Sequence, residues 1–73
     1  MSNRLPVFPN RIREHRLAKK LSQAELGQMV GVSDVAIGYW EVEKRDPRLS
    51  NLRALARALK VTTADLLSAP DNP

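Results

Sequence analysis

The sequence contains no cysteine in its 73 residues, which excludes disulfide bonds and thiolate metal sites. It has a single histidine and three glycines, so neither a histidine metal cluster nor a glycine-rich phosphate loop is expected. No apolar run is long enough to span a membrane, and the N-terminus lacks the apolar core of a signal peptide. We therefore expect a cytoplasmic protein without cofactors. Because we find neither a cysteine nucleophile nor a serine–histidine constellation, we do not expect an enzyme.

Basic residues outnumber acidic ones by 12 to 8, and they are unevenly placed along the chain. Residues 1–20 hold six lysines or arginines and residues 44–60 hold six more, whereas residues 21–43 hold none and contain four acidic residues. Such charge runs are usually solvated helix faces. A net charge of +4 also suits a polyanionic partner, and charge alone does not decide between the two interpretations.

The middle of the chain predicts two short helices joined by a tight turn. Ser22 stands three residues before Glu25, which is the spacing of a capping box. Gly31 follows at the place where a left-handed residue ends a helix, and Ser33 can cap the next helix. Gly27 lies where two helices that meet at a steep angle need a small residue.

This stretch resembles the helix-turn-helix of the phage repressor and Cro proteins, the XRE family. The residues that carry the resemblance are Gln23, Ala24, Leu26, Gly27, Val30, Gly31, Val32, Ser33, Ile37, Trp40 and Glu41. The match extends from Arg11 to Leu67. It implies an all-α, compact five-helix bundle of the lambda-repressor-like DNA-binding type, with the central helix-turn-helix at residues 22–42.

Helix-breaking residues and hydrophobic spacing predict one domain between two irregular ends. Residues 1–9, which contain Pro6 and Pro9, form an N-terminal arm. Residues 10–68 form the helix-turn-helix domain, and residues 69–73 form a flexible C-terminal tail. The expected helices span residues 10–20, 22–30, 33–42, 49–60 and 63–68. The residues expected in the core of the C-terminal half are Leu49, Leu52, Leu55, Ala56, Leu59, Leu66 and Leu67.

The resemblance also implies double-stranded DNA as the partner, with the helix at residues 33–42 in the major groove. The residues implied to face the bases are Gln23, Ser33, Asp34, Val35, Ala36 and Tyr39. The residues implied to contact phosphates are Gln23, Lys44, Arg45 and Arg48, with Lys19, Lys20 and Arg4 as weaker candidates. Val35 and Ala36 can touch a thymine methyl group, whereas Asp34 can accept from a cytosine amino group or merely stabilise the helix start. One small domain reaches few base pairs, so we expect a homodimer on a palindromic operator, with residues 59–68 as its contact surface.

Four further positions carry expectations of their own. Arg16 and Glu41 match a family ion pair between the first and third helices. Where His15 stands the family has an aliphatic residue, and we expect His15 at the edge of the core with a backbone hydrogen bond, without a metal or catalytic role. The family often has glycine where Glu43 stands, which leaves the following turn open because a left-handed non-glycine residue is costly. Asn10 is expected to cap the first helix.

Two functions from different classes are compatible with this sequence. The first is a sequence-specific, non-enzymatic transcriptional regulator of the Cro/repressor type. The second is a protein-interaction module, such as an antitoxin whose main partner is a toxin or another regulator. The second stays open for two reasons: the helix at residues 33–42 has no arginine, asparagine or glutamine to read guanine or adenine, and the middle segment is acidic. It would need an exposed apolar patch, for which the candidates are Leu5, Val7, Phe8 and Leu17.

Overall fold

The computed structural model describes residues 10–67, which fold into five α-helices with no β-strand in that range. The helices are α1 (Ile12–Ala18), α2 (Gln23–Val30), α3 (Asp34–Glu41), α4 (Leu49–Leu59) and α5 (Thr63–Leu67). The prediction of an all-α, five-helix fold is confirmed. The predicted arm, the predicted tail and Ser68 lie outside the described residues. Between residues 10 and 67, no helix has the length and apolar character that a membrane crossing requires.

Side chains accept backbone N–H groups at the starts of α2, α3 and α5, and Asn10 does so at α1. The Ser22 hydroxyl accepts from the Glu25 backbone N–H at 2.9 Å, and the Glu25 carboxylate accepts from the Ser22 N–H at 2.7 Å, so the predicted capping box is formed. The Ser33 hydroxyl accepts from the third residue of its own helix at 3.1 Å. Thr62 and Asp65 exchange the same reciprocal pair at the start of α5, both at 3.0 Å. Each cap satisfies N–H groups that have no partner within the helix.

The first helix begins later than predicted. Arg11 has φ −119° and ψ 29°, so it occupies the N-cap position without itself joining the helix. Asn10 still caps, because its side-chain oxygen accepts from the Ile12 backbone N–H at 3.0 Å. The Arg11 backbone N–H donates to the carbonyl of Leu66 at 2.8 Å, and this hydrogen bond connects the start of α1 to the end of α5.

Left-handed residues follow four of the helices, and three of these helices, α1, α3 and α4, end one or two residues before their predicted limits. These residues are Lys20, Gly31, Glu43 and Lys60. Gly31, with φ 87°, is the glycine that the sequence suggested. Glu43 adopts φ 62°, so the turn keeps the left-handed geometry although it lacks the family's glycine. For an L-residue with a side chain this conformation costs about 1–2 kcal/mol.

All five helices contribute side chains to one core. Its buried members are Ile12, Leu26, Ile37, Trp40, Leu52, Leu55, Ala56, Leu59 and Leu66. Two core predictions were wrong: Leu49 is 59% exposed and Leu67 is 39% exposed. Both stand at an end of a helix, beyond the edge of the surface that the helix packs against. Leu59 and Leu66 are fully buried, so within residues 59–67 the exposed large apolar side chain of the predicted contact surface is Leu67, with Ala64 exposed and Val61 partly buried beside it.

His15 departs from its expected bonding. It lies half-buried on α1, at the edge of the core as predicted. Its Nε2 atom, however, is buried and has no hydrogen-bond partner, so the expected backbone hydrogen bond is not formed there. A buried polar atom without a hydrogen bond lowers the stability of the fold.

Candidate nucleic-acid interface

Helices α2 and α3 approach each other so closely that one position must lack a side chain. A Cβ atom on Gly27 would lie 2.6 Å from the carbonyl oxygen of Val32 and 3.2 Å from the carbonyl carbon of Ser33. The Gly27 carbonyl also accepts from the Gly31 N–H at 2.7 Å and from the Val32 N–H at 2.9 Å. The turn therefore folds back onto α2, and the start of α3 is fixed against backbone atoms instead of against flexible side chains.

The carboxylate of Glu41 joins three helices at the end of α3. Arg16 of α1 donates to it twice, from Nε to Oε2 at 2.6 Å and from Nη2 to Oε1 at 3.1 Å. Gln23 of α2 donates from Nε2 to Oε1 at 3.1 Å. The third guanidinium nitrogen of Arg16, Nη1, donates to the Leu21 carbonyl at 2.7 Å. The side chains of Arg16 and Glu41 are 9% and 2% exposed, and the hydrogen bond with Glu41 raises the pKa of Arg16 above its usual value.

The exposed side of α3 is apolar and lies beside a basic loop. Val35 and Tyr39 are 57% and 41% exposed, while Ile37 and Trp40 on the other side are buried. An open concavity of about 380 Å³ runs along this side. Its lining residues, which we call the reading face, are Ser33, Val35, Ala36, Tyr39, Trp40 and Arg45.

The residues predicted to face bases are not equivalent in the structure. Val35 and Tyr39 are exposed, and Ala36 is half-buried between them and the core. Ser33 is exposed, but its hydroxyl oxygen caps α3. Asp34 is exposed in the first turn of α3, where a carboxylate also suits the positive end of the helix dipole. The structure thus leaves both interpretations of Asp34 open.

Gln23 is placed differently from the other predicted contacts. Its carboxamide lies across Gly38, 3.5–3.8 Å from the point where a Cβ of that glycine would be. Because its Nε2 already donates to Glu41, the side chain belongs to the network that fixes α2 against α3. A phosphate contact at this position has to use the remaining amide atoms or the free N–H groups at the start of α2.

Three of the predicted phosphate residues stand in the loop that follows α3. Lys44 and Arg45 are exposed, and their charged groups lie over the ring of Tyr39, each 5.8 Å from its centroid. Arg48 is exposed at the N-cap of α4. Of the weaker candidates, Lys19 and Lys20 are exposed at the end of α1, and Arg4 lies outside the described residues.

Sequence reasoning missed a second role of Asn10. Its Nδ2 donates to the Trp40 carbonyl at 2.8 Å, and its backbone N–H donates to the Glu43 carboxylate at 3.4 Å. The residue therefore fastens the start of α1 to the end of α3. These partners are 30 and 33 residues away along the chain, so no local pattern could have indicated them.

The part of the chain that the structure describes holds no group of three or more histidine, cysteine or acidic residues placed to bind a metal ion. The interface consists instead of an apolar helix face and several exposed cations. Arg11–Glu14 and Arg16–Glu41 are the ion pairs formed between residues 10 and 67. The cations next to the reading face therefore lack carboxylate partners within this range.

Comparison with known proteins identifies the same arrangement elsewhere. The Helix-turn-helix family model matches residues 12–66. Repressor protein C2 of Salmonella phage P22 is 49% identical over 61 residues, which cover 84% of this chain and 28% of the repressor. The HTH-type transcriptional regulator YobD of Bacillus subtilis (strain 168) is 31% identical over 67 residues, covering 92% of this chain and 60% of the regulator. This chain thus spans about a quarter to three fifths of those two relatives.

One solved structure is similar to this chain over nearly the whole length of the solved protein. The crystal structure of the P22 c2 repressor protein in complex with a synthetic operator matches with a TM-score of 0.77 and 44% sequence identity. The match covers 86% of this chain and 96% of that chain. The similarity therefore extends over the whole arrangement of helices and is not confined to α2 and α3.

Proposed function

This chain belongs to the Helix-turn-helix family, and from that membership we propose that it binds double-stranded DNA sequence-specifically as a Cro/repressor-type transcriptional regulator. The observation that carries the proposal is the reading face, an exposed apolar side of α3 bordered by cations. The similar P22 repressor structure holds a synthetic operator, which supports double-stranded DNA as the partner here. The major groove is wide enough to admit one α-helix.

In this proposal specificity comes from contacts with methyl groups and from DNA shape. Val35 is 57% exposed on α3 and can pack against a thymine methyl group, and the half-buried Ala36 can do the same. The helix offers few polar readers, so sequence-dependent deformability of the duplex supplies part of the discrimination. Asp34, if it accepts from a cytosine amino group, adds one polar contact.

Affinity, by contrast, comes from phosphate contacts outside α3. Lys44, Arg45 and Arg48 lie between α3 and α4, and their positive charges have no carboxylate partner among residues 10–67. Each phosphate contact releases condensed counterions, so it strengthens binding to every duplex alike. Gln23, at the first position of α2, places free backbone N–H groups towards the same partner.

We further propose that two copies bind a palindromic operator as a homodimer, because a two-fold assembly doubles the few base contacts of one domain. Leu67 supplies the exposed apolar side chain of the predicted contact surface, and it shares a groove with Leu49. A regulator of this kind acts where its DNA is, in the cytoplasm, and works by binding instead of catalysis. The antitoxin alternative is less well supported, because the similar proteins are named as a repressor and a transcriptional regulator. Of its four candidate residues, Leu17 is 51% exposed, and the other three lie outside the described residues.

A two-part titration tests the proposal, after selection of bound sites from random duplexes has provided a cognate sequence. Val35→Ala should reduce the preference for the cognate over a scrambled duplex by about 1–3 kcal/mol and leave the salt dependence unchanged. Arg48→Gln should weaken both duplexes alike and lower the slope of log affinity against log salt by about one unit. Met29→Ala is the matched control, because Met29 is equally exposed on α2 but lies away from the reading face. If Val35→Ala binds the cognate site as the parent does, α3 is not the reading helix.

A further inference from the structure

The ring of Tyr39 lies beneath two cations that the sequence assigned to phosphates. The Lys44 ammonium and the Arg45 guanidinium each lie 5.8 Å from the ring centroid, within the roughly 6 Å at which a cation is attracted by the ring quadrupole. Their charges have no carboxylate partner among residues 10–67. The Glu43 carboxylate next to them receives the Asn10 N–H instead.

The backbone of the loop holds this arrangement in place. The Lys44 N–H donates to the Tyr39 carbonyl at 2.9 Å, and the Glu43 N–H donates to the Trp40 carbonyl at 3.1 Å. With Glu43 left-handed, these two bonds form a Schellman motif. The motif turns the chain back over the last turn of α3, so the two residues that follow Glu43 stand over the side chain of Tyr39.

We propose that Tyr39 is a positioning residue for the phosphate contacts, and that its ring holds Lys44 and Arg45 at the edge of the reading face before DNA arrives. This inference rests on the proposed function. Lysine and arginine side chains have many rotamers, and fixing them on binding costs free energy. A cation attracted to a ring by its charge keeps its N–H donors available, so it can contact the ring and a phosphate together. Tyr39 then strengthens binding to every sequence and reads none.

This role predicts a signature that neither a base reader nor a phosphate contact gives. A base reader changes the preference for the cognate duplex, and a phosphate contact changes the salt slope. Tyr39→Leu removes the ring but keeps both charges, so cognate and scrambled duplexes should weaken by the same factor while the salt slope stays that of the parent. Each cation–ring contact at an exposed site corresponds to about a two- to fivefold factor. Tyr39→Phe keeps the ring and both cations, so any loss should be smaller than that of Tyr39→Leu and the same for both duplexes.

The experiment measures both duplexes at several salt concentrations for the parent, Tyr39→Phe and Tyr39→Leu, and repeats Tyr39→Leu in a Lys44→Gln/Arg45→Gln background. There the ring has no cations to hold, so Tyr39→Leu should have no further effect. A selective loss of cognate binding in Tyr39→Phe would overturn the proposal, because the hydroxyl would then read a base. An equal effect of Tyr39→Leu in both backgrounds, or tighter binding, would also overturn it.

A measurement without DNA separates this inference from the proposed function. In the free parent protein, the ring should shift the NMR signals of the Lys44 Cε and Arg45 Cδ protons upfield, and Tyr39→Leu should abolish the shifts. If the shifts are present and the parent binds no duplex, the proposed function fails while the ring contacts stand. If the parent prefers a cognate duplex and the shifts are absent, the inference about Tyr39 fails alone.

Discussion

Removing one partner of the Arg16–Glu41 pair should destabilise the fold far more than an ordinary ion pair would. The Glu41 carboxylate accepts three N–H donors, two from Arg16 and one from Gln23. Glu41→Gln leaves the buried Arg16 side chain without its counter-charge. Arg16→Met leaves the carboxylate buried with only the neutral Gln23 amide facing it. Either change leaves a buried charge without a counter-charge.

The exposure of the two side chains, 9% and 2%, decides the magnitude. A solvent-exposed pair contributes about 0–1 kcal/mol, whereas breaking a buried pair from one side costs about 3–5 kcal/mol. A chain of this length has roughly 4–11 kcal/mol of total stability. The loss is therefore a large share of it, and at about 4–8 °C per kcal/mol the melting temperature should fall by about 12–40 °C.

Thermal melts of Arg16→Met, Glu41→Gln and the double variant measure the coupling. The double variant should lose clearly less than the sum of the two single losses, because neither charge is left alone in it. The Arg11–Glu14 pair of α1 is an exposed control, so Glu14→Gln should melt close to the parent. Additive losses, or equal losses from Glu14→Gln and Glu41→Gln, would refute the reasoning from burial.

Two further predictions concern backbone space and pH. Gly27→Ala should destabilise the fold by about 1–3 kcal/mol, because its Cβ would lie 2.6 Å from the Val32 carbonyl oxygen. Gly38→Ala meets only ordinary contacts and should stabilise the fold by up to about 1 kcal/mol. Urea midpoints that move in the same direction for both variants would contradict this. The hydrogen bonds from Thr62, its backbone N–H first, lower the pKa of Asp65 below its usual 3.8. The contribution of the Asp65 carboxylate to stability is therefore complete above that value and is lost as pH falls through the folded pKa. Thermal melts from about pH 5 to 2 should show a weaker pH dependence of stability in Asp65→Asn than in the parent. An unchanged dependence would count against the cap.

Local signals predicted the helix starts well, because a cap needs only residues three apart. Ser22 with Glu25, and Ser33 alone, could be recognised from spacing, and the structure forms both caps. The limits of the core were less predictable. The stripe on α4 indicated which residues share a face, but not where the opposing surface ends, so Leu49 at the first position of the helix was wrongly placed in the core.

Contacts between distant residues limited prediction at the site. The family resemblance implied that Tyr39 faces the partner, and the structure leaves it exposed on α3. Nothing in the pattern indicated that a left-handed Glu43 would turn Lys44 and Arg45 back over that ring. The double role of Asn10 was hidden for the same reason, since its partner Trp40 is 30 residues away.

An apolar reading face requires that the position of α3 be fixed accurately by its neighbouring helices. A charged or hydrogen-bonding reader attracts its target over some distance, but dispersion contacts fall off steeply, and a gap of about 0.5–1 Å forfeits a quarter to a half of the interaction. A valine that reads a methyl group therefore depends on where the backbone of α3 is held. Glu41 fixes the end of that helix to α1 and α2 through Arg16 and Gln23, and the Gly27 contact fixes its start. In the proposed function, losing the Arg16–Glu41 pair should thus reduce discrimination between sequences even under conditions where the domain remains folded.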